Sequence, residues 1–261
     1  MWAKVTSIGL KGMEGYRVHV EVGSYVGNNS FKIVGLPDAA VKESKERIIA
    51  ALQTLGYHLS GQKITINLSP ADQKKYGSMF DFPMAIAVLQ SLHELEVVVP
   101  EDTGFLGALS LDGSIQPVEG MLPAVLAAKR LGIQKLYMPF DEELPVLELE
   151  PLEIIYVTSL QEAIEHLSGH WVPPYHKKPE DKRFRSNVYL DLQQIIGHQG
   201  AKHALEVAAA GEHHVLLTGP PGCGKTMLAE SFPALLPTLT KESLLEVISL
   251  YQLSQNSYLH S

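Results

Sequence analysis

Residues 3–34 alternate between apolar and polar positions. In the run YRVHVEV, Val18, Val20 and Val22 share one face, the period of two that marks a half-buried strand. The pattern predicts three strands, at 3–9, 16–22 and 31–34. Gly35-Leu36-Pro37-Asp38 breaks it, and Asp38 is the expected N-cap of a helix reaching about Leu55. Val41, Ile48, Ala51 and Leu52 form that helix's apolar stripe, opposite Lys42, Lys45 and Glu46, and Gly56 supplies the stop.

Alternation returns at 63–68, a further predicted strand, and ends in the turn cluster Ser69-Pro70-Ala71-Asp72. The loop 74–81 then feeds a largely buried helix expected over 83–93. Two more strands, 105–111 and 114–117, are joined by Asp112-Gly113, a two-residue hairpin signal. A helix over 120–131 and short strands at 134–138 and 154–157 follow, and Ser159-x-x-Glu162 has the capping-box pattern of a helix running to about Leu167. The first domain is expected over 1–168. Residues 169–186 contain Pro173, Pro174 and Pro179 among Lys177, Lys178, Lys182, Arg183 and Arg185, and read as a solvated linker whose cations have nucleic acid as an alternative contact. The second domain, 187–261, carries helical patterns at AKHALEVAAA and at 241–253.

Between those helices lies HHVLLTGPPGCGKTMLAE, residues 213–230: an apolar run, a glycine-rich turn and a helical pattern. Gly219, Gly224, Lys225 and Thr226 fit G-x-x-x-x-G-K-[ST], with a strand expected at 215–218. The candidate cofactor-binding residues are Gly219, Pro220, Pro221, Gly222, Cys223, Gly224, Lys225 and Thr226. Glycines let such a loop turn its N–H groups towards a triphosphate. Lys225 has the reach for the β and γ phosphates, and the Thr226 hydroxyl is the candidate ligand for Mg²⁺, which is otherwise held by waters and nucleotide. ATP and Mg²⁺ are therefore the expected cofactors.

Composition narrows the classes. A length of 261 residues at 45% hydrophobic content suits two globular domains. No run of about eighteen apolar residues and no signal-peptide design is present, so no membrane partner is expected and the cytoplasm is the default location. The single cysteine, Cys223, excludes an internal disulfide; it is read as a small residue that fits the loop, with a redox switch as the alternative. The net charge of −8 argues against a simple basic nucleic-acid binder without excluding a ring that presents a few cations to a central strand. The eleven histidines show no metal-ligand spacing.

The stretch DLQQIIGHQGAKHALEVAAAGEHHVLLTGPPGCGKTMLAESFPALLPTLTKESLLEV resembles the opening of the magnesium-chelatase-like AAA+ module, in its ComM (YifB) branch. GLPDAAVKESKERIIAAL, INLSPAD, KKYGSMFDFPMAIAVL and GALSLDGSIQPVEGMLPAVLAAKRLG extend that resemblance over nearly the whole chain. The resemblance implies nucleotide contacts from Gly219 through Thr226, with Ile196 and Gly197 near the adenine; His198 departs from the glutamine of the pattern. The first domain is also similar to the peptidase domain of Lon proteases, which implies an α+β, Lon protease-like (S5-like) fold ahead of an α/β P-loop domain. Lon proteases use a serine and lysine dyad, yet Asp81 falls where the serine should be and Leu122 where the lysine should be. Lys75 and Ser78 are read as surface loop residues rather than a rebuilt dyad. A Lon-like fold without peptidase chemistry is the implication.

Hydrolysis also needs an apolar strand ending in Asp-Glu, a sensor and a neighbour's arginine. None follows Thr226: Glu230, Glu242 and Glu246 all fall in helical patterns. The chain is thus expected to be a fragment or truncated product that turns over no ATP. For the complete protein, the resemblance implies an ATP-driven homo-hexamer that acts on branched or single-stranded DNA, through segments outside this chain, in natural transformation and recombination. The alternatives are a chelatase-type ATPase that remodels a protein partner and, disfavoured, a Lon-like peptidase.

Overall fold

The computed structural model describes residues 1–142, 144–145, 149–170 and 190–254. The chain divides into two compact units, Met1–Lys177 with Leu245–Ser261 and, between them, Lys178–Leu244. Residues 171–186 of the expected linker lie outside the described residues.

The first unit is α/β. Its strands are β1 (Trp2–Lys11), β2 (Glu14–Val26), β3 (Ser30–Val34), β4 (Gln62–Ser69), β5 (Thr103–Phe105), β6 (Ala108–Leu109), β7 (Ile115–Gln116), β8 (Lys135–Met138) and β9 (Glu153–Tyr156). Seven of them form one sheet in the order β3-β4-β2-β1-β5-β8-β9, and β6 and β7 pair separately. The β1–β2 and β2–β4 pairs are antiparallel, while β3–β4, β1–β5, β5–β8 and β8–β9 are parallel. The helices are α1 (Ala39–Thr54), α2 (Asp81–Ser91), α3 (Met121–Arg130) and α4 (Leu160–Leu167).

Register sorts the side chains. Val18, Val20 and Val22 lie opposite Ser7, Val5 and Ala3 on one side, and Val20 and Val22 opposite Leu68 and Ile66 on the other, so one sheet face is apolar. The α2 helix packs there, with Ser24 donating its hydroxyl to the Ser91 carbonyl at 2.8 Å. Phe82, Met84, Ile86, Val88 and Leu89 are all fully buried, which explains why α2 has no polar face. Each such side chain contributes about 1.5–3 kcal/mol by leaving water. At one end of the opposite face α3 docks closely: a Cβ at Gly15 would stand 2.1 Å from the Ala127 Cβ. Arg17 donates to the Leu131 carbonyl at 2.8 Å beside it.

Local chemistry sets the ends. Asp38 caps α1 by accepting from the Val41 N–H at 2.8 Å. Helix α2 begins at Asp81, two residues before the expected start, because Pro83 needs no amide partner in a first turn. The expected 105–111 strand is divided: Phe105 joins the large sheet, Gly107 (φ 147) turns the chain, and Ala108–Leu109 pairs with Ile115–Gln116. A side chain at Gly107 would press against Ile115 Cγ2 at 2.6 Å, so the close approach breaks the strand. The turn is one residue longer than the expected two: Leu109 pairs with Ile115 and the Ser110 N–H donates to the Ser114 carbonyl at 2.9 Å, so Leu111-Asp112-Gly113 forms the loop, with Gly113 at φ 85 and Asp112 accepting from both the amide and the hydroxyl of Ser114. Ser159 caps α4 through the Glu162 N–H, but Glu162 reaches back one residue beyond the cap, to the amide and hydroxyl of Thr158 at 2.6 and 2.7 Å.

Lys75 corrects the surface reading: it is fully buried. Its ammonium donates to the carbonyls of Pro70 and Gln73, and its backbone is zipped to the 36–38 loop by Lys75 N–H to Leu36 O and Asp38 N–H to Lys75 O, both 3.1 Å. Two carbonyls satisfy the ammonium where water cannot, and burial lowers the lysine's pKa.

The second unit contains the 3-10 turn Leu192–Gln194, α5 (Gln199–Ala210), α6 (Lys225–Ser231) and the 3-10 turn Phe232–Leu235. Helix α7 (Lys241–Leu253) straddles the division.

Candidate nucleotide site

A small core positions the glycine loop. Leu192, Ile195, Leu205 and Leu228 are buried together, with Leu217, Phe232 and Leu235 against them. This clamps α5 to α6 through one residue of the apolar run, Leu217, while its neighbour Leu216 is 86% exposed. Residues 215–218 form no strand, which corrects the expectation. The short apolar run of a buried strand is present, but strand hydrogen bonds come from a neighbouring strand, and none pairs with this run among the described residues.

Gly222 (φ 81) and Gly224 (φ 77) adopt the left-handed conformation that turns the loop into α6. A Cβ at Gly222 would meet nothing within 4 Å, so the outer side of the loop is open. Lys225 folds back over the loop, its ammonium donating to the carbonyls of Gly219 at 2.9 Å and Pro220 at 2.7 Å, with Cys223 Sγ at 3.5 Å. Thr226 is exposed beside it. The His198 ring lies 3.6 Å from where a Gly224 Cβ would be, which brings the Ile196-Gly197-His198 turn to the loop; Ile196 is 94% exposed.

This donor set fits a phosphate chain: open backbone at glycine, one lysine and one hydroxyl. For Mg²⁺ it offers Thr226 alone, since the described residues hold no group of three His, Cys, Asp or Glu side chains suited to a metal. A magnesium ion there would be held mainly by phosphates and water.

The Lon-like positions are differently occupied. Asp81 is fully buried and accepts from Arg47 Nε at 2.6 Å, from an Arg47 terminal nitrogen at 3.1 Å and from the Leu109 N–H at 3.2 Å. Arg47 also donates to Ala40 O and Ser44 Oγ. The Asp81 hydrogen bond and charge raise the arginine's pKa against the opposing effect of burial. Leu122 is buried in α3. A carboxylate held by arginine and a core leucine supply neither the hydroxyl nor the amine of a serine–lysine dyad. Sequence reasoning missed Arg47; the signal is its place in the apolar stripe, three residues after buried Ser44 and one before Ile48.

Two family models match the chain. Residues 20–142 match the family described as subunit ChlI of Mg-chelatase, and residues 191–260 match magnesium chelatase, subunit ChlI. The chain is 35% identical to the competence protein ComM of Haemophilus influenzae, over 94% of this chain and 48% of that protein. It is 36% identical to the uncharacterized protein YifB of Escherichia coli, over 90% of this chain and 46% of that one. A weaker similarity, 28% identity over 53% of this chain and 24% of the relative, links it to Lon protease 2 of Bacillus subtilis. The chain spans about half the length of the ComM and YifB relatives it matches. With both ChlI matches and near-complete coverage by ComM and YifB, the chain belongs to the ComM/YifB branch of the magnesium-chelatase-like ATPase family and carries a Lon-like first unit.

Proposed function

We propose that Gly219 through Thr226 bind the phosphates of ATP, and that the complete protein is an ATP-driven, cytoplasmic homo-hexamer that moves or unwinds branched DNA. The observation that carries this reading is the Lys225 ammonium lying over its own glycine loop on the Gly219 and Pro220 carbonyls. A cation so placed has only to exchange two neutral carbonyls for the β and γ phosphate oxygens, a stronger charge-assisted interaction. The backbone N–H groups of Gly219, Gly222, Cys223 and Gly224 would complete the cradle, Pro220 and Pro221 having none to offer, and the Thr226 hydroxyl would take one position on Mg²⁺. Bound ATP supplies the free energy; the residues of this chain hold and orient it.

Action on DNA in natural transformation and recombination is supported by likeness to a protein named for competence. The ChlI matches favour a second reading, an ATPase that remodels a protein partner for metal insertion. ATP-dependent unwinding of a branched DNA substrate by the complete protein, lost in Lys225→Ala, is the expected result. An ATPase indifferent to DNA but stimulated by a protein partner would establish the second reading instead.

A further inference from the structure

The sheet face opposite the apolar core is covered by α3 at only one end, around Ile8 and Gly15. At the other end, register places Trp2, Gly23, Thr65 and Lys32 side by side across four strands. Tyr25, Lys63 and Ser30 form the adjoining row. Trp2 is 69% and Tyr25 62% exposed, although large aromatic rings are usually drawn into cores. The Tyr25 ring reaches back over Gly23, within 3.4 Å of where a Cβ would stand, and Trp2 lies directly across from that glycine. Two exposed rings therefore flank a position without a side chain.

Charge completes the pattern. Lys32 and Lys63 are exposed and form no ion pair among the described residues. Of the carboxylates near this face, Glu101 pairs with Lys4 at 3.0 Å, and Glu21, which keeps its charge, is held by the Asn67 amide at 2.9 Å in the row beyond Trp2 and Gly23, away from Lys63. Strands about 4.8 Å apart put Lys63 one strand from Tyr25, and Lys32 about 14 Å from Trp2 across the row. In a chain of net charge −8, two unpaired lysines beside two open rings are a local exception.

From this juxtaposition we infer that the face formed by Trp2, Tyr25, Lys32 and Lys63 binds single-stranded DNA, bases stacking on the rings and phosphates meeting the lysines. Stacking platforms with nearby cations suit unpaired strands, because every base has a π-face and a duplex hides its bases. The choice of DNA rests on the proposed function; the stacking surface does not, and it requires no nucleotide at Lys225.

Fluorescence anisotropy of a labelled oligo-dT with the 261-residue chain tests this, alongside quenching of Trp2 fluorescence in a Trp171→Phe background. The wild-type chain is expected to bind, with Trp2 quenched on binding. Trp2→Ala and Tyr25→Ala should each weaken binding about tenfold, within the range of one lost base stack. Lys32→Gln with Lys63→Gln should reduce the slope of log K against log salt by about 1.4, the value for two phosphate contacts on a single strand. All four side chains are exposed, so unchanged circular dichroism is expected for the variants. Lys225→Ala should bind oligo-dT like wild type; if it loses binding while the face variants retain it, DNA is held elsewhere and the inference falls, with the nucleotide reading intact. Absence of binding, equal affinity for duplex, or tighter binding of oligo-rU would also overturn it.

Discussion

Asp81 accepts a two-point hydrogen bond from Arg47, at 2.6 and 3.1 Å, at the first residue of α2. The aspartate is fully buried and the arginine side chain is 25% exposed. A bidentate pair of this kind ties α1 to the start of α2, the most buried helix of the first unit. Removing the arginine would leave a carboxylate in the core with one backbone donor, so Arg47→Leu is expected to destabilise the first unit by about 3 kcal/mol. Urea unfolding measures this, and a midpoint equal to wild type would show that the pair is not structural. For the same reason the chain is expected to cleave no unfolded protein substrate.

Gly35 (φ 98) lies against β4, where an added Cβ would stand 2.3 Å from the Leu68 carbonyl oxygen. Neither the left-handed conformation nor a backbone neighbour can yield cheaply. Gly35→Ala should cost at least about 3 kcal/mol, combining conformational strain and overlap. Thermal unfolding checks this, with Gly56→Ala as the comparison, since a Cβ there meets nothing within 4 Å.

Burial lowers the pKa of His19, and the cations Lys4 and Arg17 lower it further against the opposing Glu101 and Glu21. The folded ring therefore takes up a proton less readily than the unfolded one, whose pKa is about 6.5. The stability associated with neutral His19 is complete above that value and is lost as pH falls through the depressed folded pKa. Unfolding free energy should decline from pH 7 to pH 5, and His19→Gln should flatten that decline. An unchanged pH slope in the variant would assign it to other groups.

For the nucleotide loop, calorimetric titration with ATP and Mg²⁺ is expected to show weak binding by this chain. Lys225→Ala should weaken it at least about tenfold, the consequence of losing a hydrogen bond from a charged donor. Phosphate release should stay at background, because Glu230, Glu242 and Glu246 lie in helical segments rather than at a strand end beside the loop. Measurable turnover would disprove this last expectation.

Much of the first unit was legible because its elements are defined by local rules. Alternating valines, the Asp38 cap and the Asp112-Gly113 turn depend on residues within a few positions of one another, and apart from the divided 105–111 run the strands and helices of this unit stand within a few residues of their expected ends. The glycine loop was legible for the same reason: φ above zero at Gly222 and Gly224 and the spacing to Lys225 are local properties. Partners distant in sequence were not. Arg47 and Asp81 are separated by 34 positions, and Lys75 reads as a surface residue until the 36–38 loop closes beside it.

By itself, then, the sequence determined the period of each element, its caps and the composition of the phosphate loop, since these follow from backbone sterics and nearest neighbours. Tertiary structure alone decided which strands pair, that the apolar run at 215–218 has no ladder among the described residues, that a lysine is buried, and that Trp2 and Tyr25 come to flank Gly23. Those outcomes depend on which surfaces meet and on which hydrogen bonds find partners across the chain, quantities that no local window of residues contains.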